Sequence, residues 1–324
     1  TFLPNSGLPT GIVEFENSLL RDINNHKKNG RVKDNPSYPF DRALTEFTPG
    51  NSILIDGQTY TSDGIILKNG FGATAENKSL RACTKCGYQE LITPNKRLND
   101  DCPECEAQES FKGIKMKDKK APFTELIEPI GFATDIFGNA TRSVEGNKTP
   151  QYLEPLLLGM KSWKAKQAGL IDFRTNTNNP EAEVLFYNTA NGEGFAVCQS
   201  CGRVESSAEK LEGHKRLRGG KENDGDNICK DPTIKENVIL GTRFKTDFTE
   251  IRLKDTDGNF INNEVLLYTL GVSFTKSLAS YIAIEENELG FSIKKHQNYS
   301  TLFIYDTAKG GAGYASQLKP NFEK

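Results

Sequence analysis

The 324-residue chain carries little net charge and has no long hydrophobic run. Its 41 basic and 43 acidic residues give a formal net charge of −2, so any surface that binds nucleic acid must be a local one. The most apolar stretch, 265–284, is interrupted by polar residues such as Thr269, Ser273 and Lys276, whereas a membrane helix needs about 20 consecutive apolar residues. We therefore expect a cytoplasmic protein that has no membrane partner.

Sequence motifs of several catalytic classes are also absent. The chain has no HExxH metalloprotease motif, no nucleophile elbow and no helicase motif. The adjacent carboxylates Glu285 and Glu286 follow a predicted helix and are typical of a solvated helix end. Because no residue pattern requires an enzyme, we predict that the chain is not catalytic on its own.

Cysteine is scarce, and none of the seven cysteines lies outside two clusters. The first, the four-cysteine cluster, has the pattern CxxC-x15-CxxC and consists of Cys83, Cys86, Cys102 and Cys105. Each CxxC lets two sulfurs reach one ion from a tight turn, and four thiolates in tetrahedral geometry suit zinc. Ordinary thiols or two disulfides are the alternative, but the spacing favours zinc.

The second cluster, the cysteine-histidine cluster, is less regular. Cys198 and Cys201 form another CxxC pair, followed by His214 and Cys229, and we predict a zinc site with three cysteine ligands and one histidine ligand. In both clusters protein groups supply all four ligands, which leaves no open position for water. We therefore predict two structural zinc ions (Zn²⁺) that contribute folding free energy and no chemistry.

The basic segment, defined as residues 213–221, lies within the cysteine-histidine cluster. Cationic side chains beside a zinc module are a common way to hold phosphates. The neighbouring Glu209, Glu212 and Glu222 are equally consistent with a solvated loop. The candidate nucleic-acid contacts are Arg203, Lys210, Lys215, Arg216, Arg218 and Lys221.

A glycine-rich loop follows a predicted buried strand at 302–305. Its spacing matches neither a phosphate-binding P-loop nor the GxGxxG motif. Asp306, the first residue of the loop, has two interpretations: a catalytic carboxylate or, more commonly, a side chain that orders the turn. The loop residues of interest are Asp306, Gly310, Gly311, Gly313 and Tyr314.

The hydrophobic pattern predicts an α+β protein, with a strand-rich N-terminal region that carries two zinc-ribbon or zinc-knuckle modules, followed by an α/β C-terminal domain. Helices are expected at 12–25, 152–167, 263–286 and 314–318, and strands at 52–55, 59–61, 65–67, 183–187, 246–253 and 302–305. The predicted divisions are 1–79 (mixed strand and loop), 80–110 (four-cysteine module), 111–190 (connecting region), 191–235 (cysteine-histidine module) and 236–324 (α/β domain).

The C-terminal motifs resemble a known family. The run Thr246-Asp247-Phe248, the helix that ends near Glu285, and the segment from Ile304 to Tyr314 with its glycines resemble the MrfA-type zinc-binding domain of superfamily 2 helicases and their partner proteins. Upstream, residues 43–60 and 192–202 are similar to DrmB-like proteins of the DISARM antiphage system and to the C-terminal region of DruE-like defence helicases.

The resemblance implies DNA-associated antiphage defence alongside an ATP-dependent superfamily 2 helicase, either as a separate subunit or as a domain of the same protein. The leading hypothesis is a non-catalytic accessory region that engages DNA. The alternative is a protein-interaction scaffold that docks a helicase or nuclease partner. Members of the family usually carry a further cysteine cluster after the glycine motif, so we expect the natural protein to continue beyond Lys324.

Overall fold

Strands dominate the part of the chain that the structure describes. The computed structural model describes residues 12–16, 37–55, 58–67, 78–93, 100–114, 116, 123–135, 153–158, 166–176, 183–217, 227–295, 299–308 and 310–318. In chain order, the strands are β1 (Ile12–Glu16), β2 (Ser37–Pro39), β3 (Ser52–Ile55), β4 (Gln58–Thr61), β5 (Gly64–Ile66), β6 (Lys78–Cys83), β7 (Gln89–Ile92), β8 (Phe111–Lys112), β9 (Thr124–Ile127), β10 (Gly131–Ala133), β11 (Glu154–Leu158), β12 (Lys166–Ala168), β13 (Ile171–Thr175), β14 (Glu183–Asn188), β15 (Phe195–Cys198), β16 (Val204–Glu205), β17 (Ile234–Phe244), β18 (Phe248–Leu253), β19 (Leu289–Lys295) and β20 (Ser300–Asp306). The helices are α1 (Phe40–Glu46) and α2 (Glu264–Ile282), and single 3-10 turns lie at Glu209–Leu211, Glu286–Glu288 and Ala315–Gln317.

Nine strands form a central sheet that carries both cysteine clusters. Its main order is β11-β14-β17-β9-β6-β7, with β8 paired to β6 and with β15 and β16 attached beside β17. The long strand β17 holds the sheet together because its middle residues Val238, Ile239 and Leu240 are fully buried. Cys83 ends β6 and Cys198 ends β15, so each cluster begins at the end of a strand of this sheet.

The N-terminal elements pack against the central sheet. Strands β2, β1, β10 and β5 form a four-stranded sheet, and β3 and β4 form a separate hairpin. Helix α1 lies nearby, and its residue Leu44 shares one buried cluster with Phe132 of β10, Phe186 of β14 and Leu240 of β17. One continuous core therefore joins the N-terminal elements to the central sheet.

The C-terminal region is an antiparallel sheet covered by one helix. Its strand order is β12-β13-β18-β20-β19, and every pairing is antiparallel. The buried side chains of α2 share a core cluster with those of β18 and β20. The Asn263 side chain caps α2 by accepting a hydrogen bond from the Leu266 amide at 3.1 Å, and Ala283 ends it in the left-handed conformation. Gly271 lets the helix approach β19, because a Cβ there would clash with the Phe291 ring.

Helix α2 is long and apolar enough to cross a membrane by length and composition alone, and only 28% of its most apolar 18-residue stretch is buried. Its inward residues Leu267, Leu278 and Ala279 belong to the core cluster shared with the five-stranded sheet. Packing on the sheet accounts for only part of this apolar composition, because Val265, Tyr268 and Tyr281 on the same helix are exposed. The absence of a membrane partner stays a prediction.

The α+β class and several predicted elements are confirmed. Strands occupy the positions expected at 52–55, 59–61, 65–67, 183–187, 246–253 and 302–305, and α2 begins and ends close to the expected bounds. The region predicted as α/β combines its helix with an antiparallel sheet. The proposed divisions stay predictions, although strand pairing crosses the one at 236: β17 belongs to the central sheet, and β12 and β13 complete the C-terminal one.

Two helix predictions are wrong over the residues that the structure describes, and a third is reduced to a single turn. Residues 17–25 and 159–165 of the first two predictions lie outside the described residues. Residues 12–16 form β1, where Ile12, Val13 and Phe15 favour a strand that pairs with β2 and β10. The interval 152–167 contains β11 and the start of β12. All three consecutive leucines of β11, Leu156–Leu158, are buried, as expected for a strand covered on both faces. Near 314–318 the structure has a single 3-10 turn.

Candidate metal centres

The four-cysteine cluster brings its sulfur atoms together at the edge of the central sheet. All four lie within 4.8 Å of one another, with Cys83 and Cys105 Sγ 3.7 Å apart and Cys86 and Cys102 Sγ 3.5 Å apart. Sulfurs bound at about 2.3 Å to one tetrahedral zinc ion lie roughly 3.8 Å from each other. These sulfur–sulfur distances are too long for a disulfide bond, so the set fits a zinc ion and not two disulfides.

Each CxxC turn of the four-cysteine cluster closes on a residue in the left-handed conformation. The Gly87 amide donates to the Cys83 carbonyl at 2.9 Å, and Gly87 has a φ of 76°. In the second turn the Glu106 amide donates to the Cys102 carbonyl at 2.9 Å, and Glu106 has a φ of 58°. Because both turns close in the same way, two pairs of sulfurs face one point.

The cysteine-histidine cluster is equally compact and more deeply buried. Its four ligand atoms lie within 4.8 Å of one another, and all four residues are buried. Cys198 and Cys229 Sγ are 3.8 Å apart, and Cys201 Sγ is 3.3 Å from His214 Nε2. His214 Nδ1 donates to the Leu211 carbonyl at 2.5 Å. In the neutral ring this bond places the proton on Nδ1, so that Nε2, the atom facing the sulfurs, is the one available to bind zinc.

Within the first CxxC pair of each cluster, one thiol has a lowered pKa and the other a raised pKa. In the four-cysteine cluster, burial opposes ionisation of Cys83, but hydrogen bonds with the Ser110 hydroxyl and nearby amides together lower its pKa to about 6. Burial raises the pKa of Cys86 to about 12. In the other cluster, the hydrogen bond between Cys198 and Cys201 lowers the first pKa and raises the second to about 12. A divalent cation would favour the thiolate at every position, so zinc binding must release protons.

The predicted nucleic-acid contacts occupy different environments. Lys210 is exposed and donates to the Ser206 hydroxyl at 2.9 Å, and Lys215 is exposed beside Arg216, which is half-buried. Arg203 differs, because its guanidinium forms an ion pair with the Asp135 carboxylate and donates to the Lys215 carbonyl. Lys210, Lys215 and Arg216 lie beside the cysteine-histidine cluster, and their contact with nucleic acid stays a prediction. Arg218 and Lys221 lie outside the described residues.

The glycine-rich loop is ordered by two carboxylates. Asp306 is fully buried, and its side chain accepts hydrogen bonds from the amides of Ala312, Tyr314 and Ala315 at 2.7 to 3.1 Å. Asp247 accepts from the Gly313 amide at 3.0 Å. The amides that would otherwise bind an anion are thus already occupied by the protein, which favours the turn-ordering interpretation of Asp306 over a catalytic one.

The remaining loop glycines fit this arrangement. Gly310, Gly311 and Gly313 all have positive φ, and a Cβ on Gly311 would clash with the Asp247 carboxylate. Sequence reasoning did not assign a role to Asp247 or Asp135. Only the position of Asp247 beside Thr246 and Phe248, in the motif that carries the family resemblance, was available as a signal.

The chain is similar in sequence to a known protein family and to one of its curated relatives. Residues 271–324 match the family described as the MrfA Zn-binding domain. The chain is 24% identical to Druantia protein DruE from Escherichia coli (strain UMEA 4076-1) over 99% of its own length, but it spans only 18% of that protein. The crystal structure of the DUF1998 helicase MrfA bound to DNA covers 78% of this chain and is itself 28% covered, with 14% identity and a TM-score of 0.30, too low to compare the two folds.

The matches confirm the resemblance to the MrfA-type and DruE-like proteins, while the resemblance to DrmB-like proteins of DISARM stays a prediction. All eight predicted ligands lie between 83 and 229, outside the matched residues 271–324. The two clusters described above are therefore separate from the segment that carries the family match. Their residues fit two structural zinc ions, which are the cofactors of this chain.

Proposed function

We propose that this chain is a non-catalytic accessory region of a cytoplasmic antiphage-defence protein and that it engages DNA through the cysteine-histidine module. The observation that carries the proposal is the position of Lys215 and Arg216, directly after the ligand His214 and on the surface of a buried cluster. A zinc ion held there would fix both cations relative to the core. Fixed cations bind phosphates with less loss of conformational entropy than free ones.

Backbone contacts support a rigid basic surface. The Arg216 amide donates to the Asn227 carbonyl at 2.7 Å, and the Cys229 amide donates to the His214 carbonyl at 3.0 Å. Leu217, one residue further, is fully buried in the core around the cluster. The backbone of segment 214–217 is therefore held from both sides, with the Lys215 side chain exposed and the Arg216 side chain half-buried.

A motor must come from elsewhere, because the chain carries no helicase motif. The relative DruE is named as a Druantia protein, and the matched family is named after MrfA. These names agree with the family resemblance of the sequence motifs, which implies a role beside a superfamily 2 helicase, as part of the same protein or as a partner. The chain would then guide or hold DNA while the motor hydrolyses ATP.

DNA binding by the purified zinc-loaded chain tests the proposal. We expect affinity to fall steeply with salt, and the charge reversals Lys215→Glu and Arg216→Glu to weaken binding by about tenfold each. Lys166→Glu is the matched control, since Lys166 is exposed on β12 in the C-terminal sheet, and it should bind like the wild type. Absent or salt-insensitive binding would remove the DNA proposal.

A protein-interaction scaffold is the second candidate, and the surface of the four-cysteine module favours it. Asp101, Glu106 and Glu109 are exposed around this cluster, and an acidic surface repels DNA and attracts a basic protein. Recovery of a helicase or nuclease partner in a pull-down after nuclease treatment would support the scaffold. Loss of that partner in a triple variant with Asp101→Lys, Glu106→Lys and Glu109→Lys would assign it to this surface.

A further inference from the structure

Arg203 lies at the centre of a chain of contacts that joins the basic segment to the N-terminal sheet. Its Nε donates to the Lys215 carbonyl at 2.9 Å, and its guanidinium also forms an ion pair with Asp135. The Asp135 amide in turn donates to the Asp63 carboxylate at 2.9 Å. Asp63 and Asp135 flank β5 and β10, so the guanidinium connects that sheet to the cationic surface.

The same region is held by close backbone contacts. The Ile65 amide donates to the Gly202 carbonyl at 2.8 Å, and the Val204 amide donates to the Asp63 carbonyl at 3.0 Å. Arg203 lies between these two bonds, opposite Gly64. Its backbone is therefore fixed, and only its side chain reaches sideways to the basic segment.

Burial and charge both argue against a direct phosphate contact by Arg203. Only 11% of its side chain is exposed, compared with 17% for its partner Asp135. Releasing the guanidinium to a ligand would take the cation away from the carboxylates of Asp135 and Asp63, which lie close together. Breaking such a pair costs more than one new phosphate contact supplies.

We propose that Arg203 is a positioning residue, which holds Lys215 and Arg216 in place for nucleic acid through its bonds to Asp135 and to the Lys215 carbonyl. The part of this proposal that concerns DNA binding rests on the proposed function, but the positioning itself is a property of the free chain. It also reassigns Arg203, which the sequence grouped with the phosphate contacts.

Two variants that each remove one negative charge separate positioning from simple electrostatics. Asp135→Ala removes the carboxylate that holds Arg203, while Glu212→Ala removes an exposed carboxylate of the same module and serves as the control. Electrostatics alone predicts equal or tighter DNA binding for both. Positioning predicts that Asp135→Ala binds a short fluorescent duplex about fivefold more weakly while Glu212→Ala does not. Both variants should retain their zinc, which shows that the cluster is intact.

Hydrogen exchange of the free chain provides a readout that needs no DNA. The Arg216 amide is hydrogen-bonded to Asn227, and we expect peptides containing it to exchange faster in Asp135→Ala than in Glu212→Ala. Arg203→Lys is the second variant. It keeps the positive charge but loses the forked guanidinium that contacts both Asp135 and the Lys215 carbonyl. A direct phosphate contact would therefore survive, whereas positioning would weaken.

The outcomes distinguish the two proposals. If Asp135→Ala exchanges and binds like Glu212→Ala, or if Arg203→Lys binds like the wild type, the positioning role is overturned. If the wild-type chain binds no DNA, the proposed function fails. Faster exchange at Arg216 in Asp135→Ala would then still support Arg203 as the residue that positions this segment.

Discussion

The two zinc centres use similar ligands but are built into the fold to different depths. In the four-cysteine centre, Cys105 is exposed and Cys86 is half-buried, and the surrounding core contains little beyond Phe111 and Tyr88. All four ligands of the cysteine-histidine centre are buried. Its core cluster also includes Ala133 of β10, far away in the chain. Metal loss should therefore have local effects at the first centre and global effects at the second.

The contact between the second centre and β5 explains this difference. A Cβ on Gly202 would clash with the Ile65 carbonyl oxygen, and a Cβ on Gly64 would clash with the Gly202 carbonyl oxygen. Two glycines thus allow the CxxC turn and the N-terminal sheet to touch backbone to backbone. In the four-cysteine centre, a Cβ on the corresponding Gly87 would meet nothing within 4 Å.

Removal of one ligand from the cysteine-histidine centre should have the largest effect. We expect Cys201→Ala to lose the zinc of this centre and to lower the free energy of unfolding by on the order of 5 kcal/mol or more, because a buried cluster loses its cross-link. Zinc content and chemical denaturation measure both effects. A variant that loses one zinc ion but unfolds like the wild type would contradict the global role of this centre.

The glycine contact can be tested without touching a ligand. We expect Gly202→Ala to cost about 3 kcal/mol, since the new methyl group meets the Ile65 carbonyl and the residue has a φ of 82°. Gly213→Ala is the matched control, with a φ of 61° but nothing within 4 Å of its Cβ, and should cost about 1 kcal/mol. Equal costs in denaturant melts would show that the close contact with β5 does not matter.

Removal of a ligand from the four-cysteine centre should have a smaller effect. We expect Cys105→Ala to lose the zinc of this centre while the melting temperature of the remaining fold falls by only about 2–4 °C. Hydrogen exchange should increase in β6, β7 and β8 and stay unchanged in β14 and β17. Faster hydrogen exchange across the whole central sheet would show that both centres stabilise the fold globally.

The rates of zinc release should differ in the same direction. A chelator reaches the exposed Cys105 directly, whereas the buried ligands of the other centre become accessible only after local opening. We expect two kinetic phases, of which only the fast one disappears in Cys105→Ala. Disappearance of the slow phase in that variant would reverse the assignment.

The sequence spacing was enough to find both ligand sets, because the two sulfurs of a CxxC pair are brought together by a local turn. The partners of these modules could not be found in this way. Arg203 pairs with Asp135, 68 positions away, and nothing in the local sequence indicates that an exposed-looking arginine is occupied. The same limit applies to β11, where the sequence pattern predicts a helix. The strand is stabilised by its pairing with β14 and by the core that buries its leucines, and neither contact is visible in the local sequence.

The zinc content of the purified, folded chain tests the central claim most directly. Elemental analysis combined with thiol titration should give two zinc ions per chain, with all seven cysteines reduced. Fewer than one zinc ion per chain, or cysteines recovered as disulfides, would contradict the account of two closed structural centres.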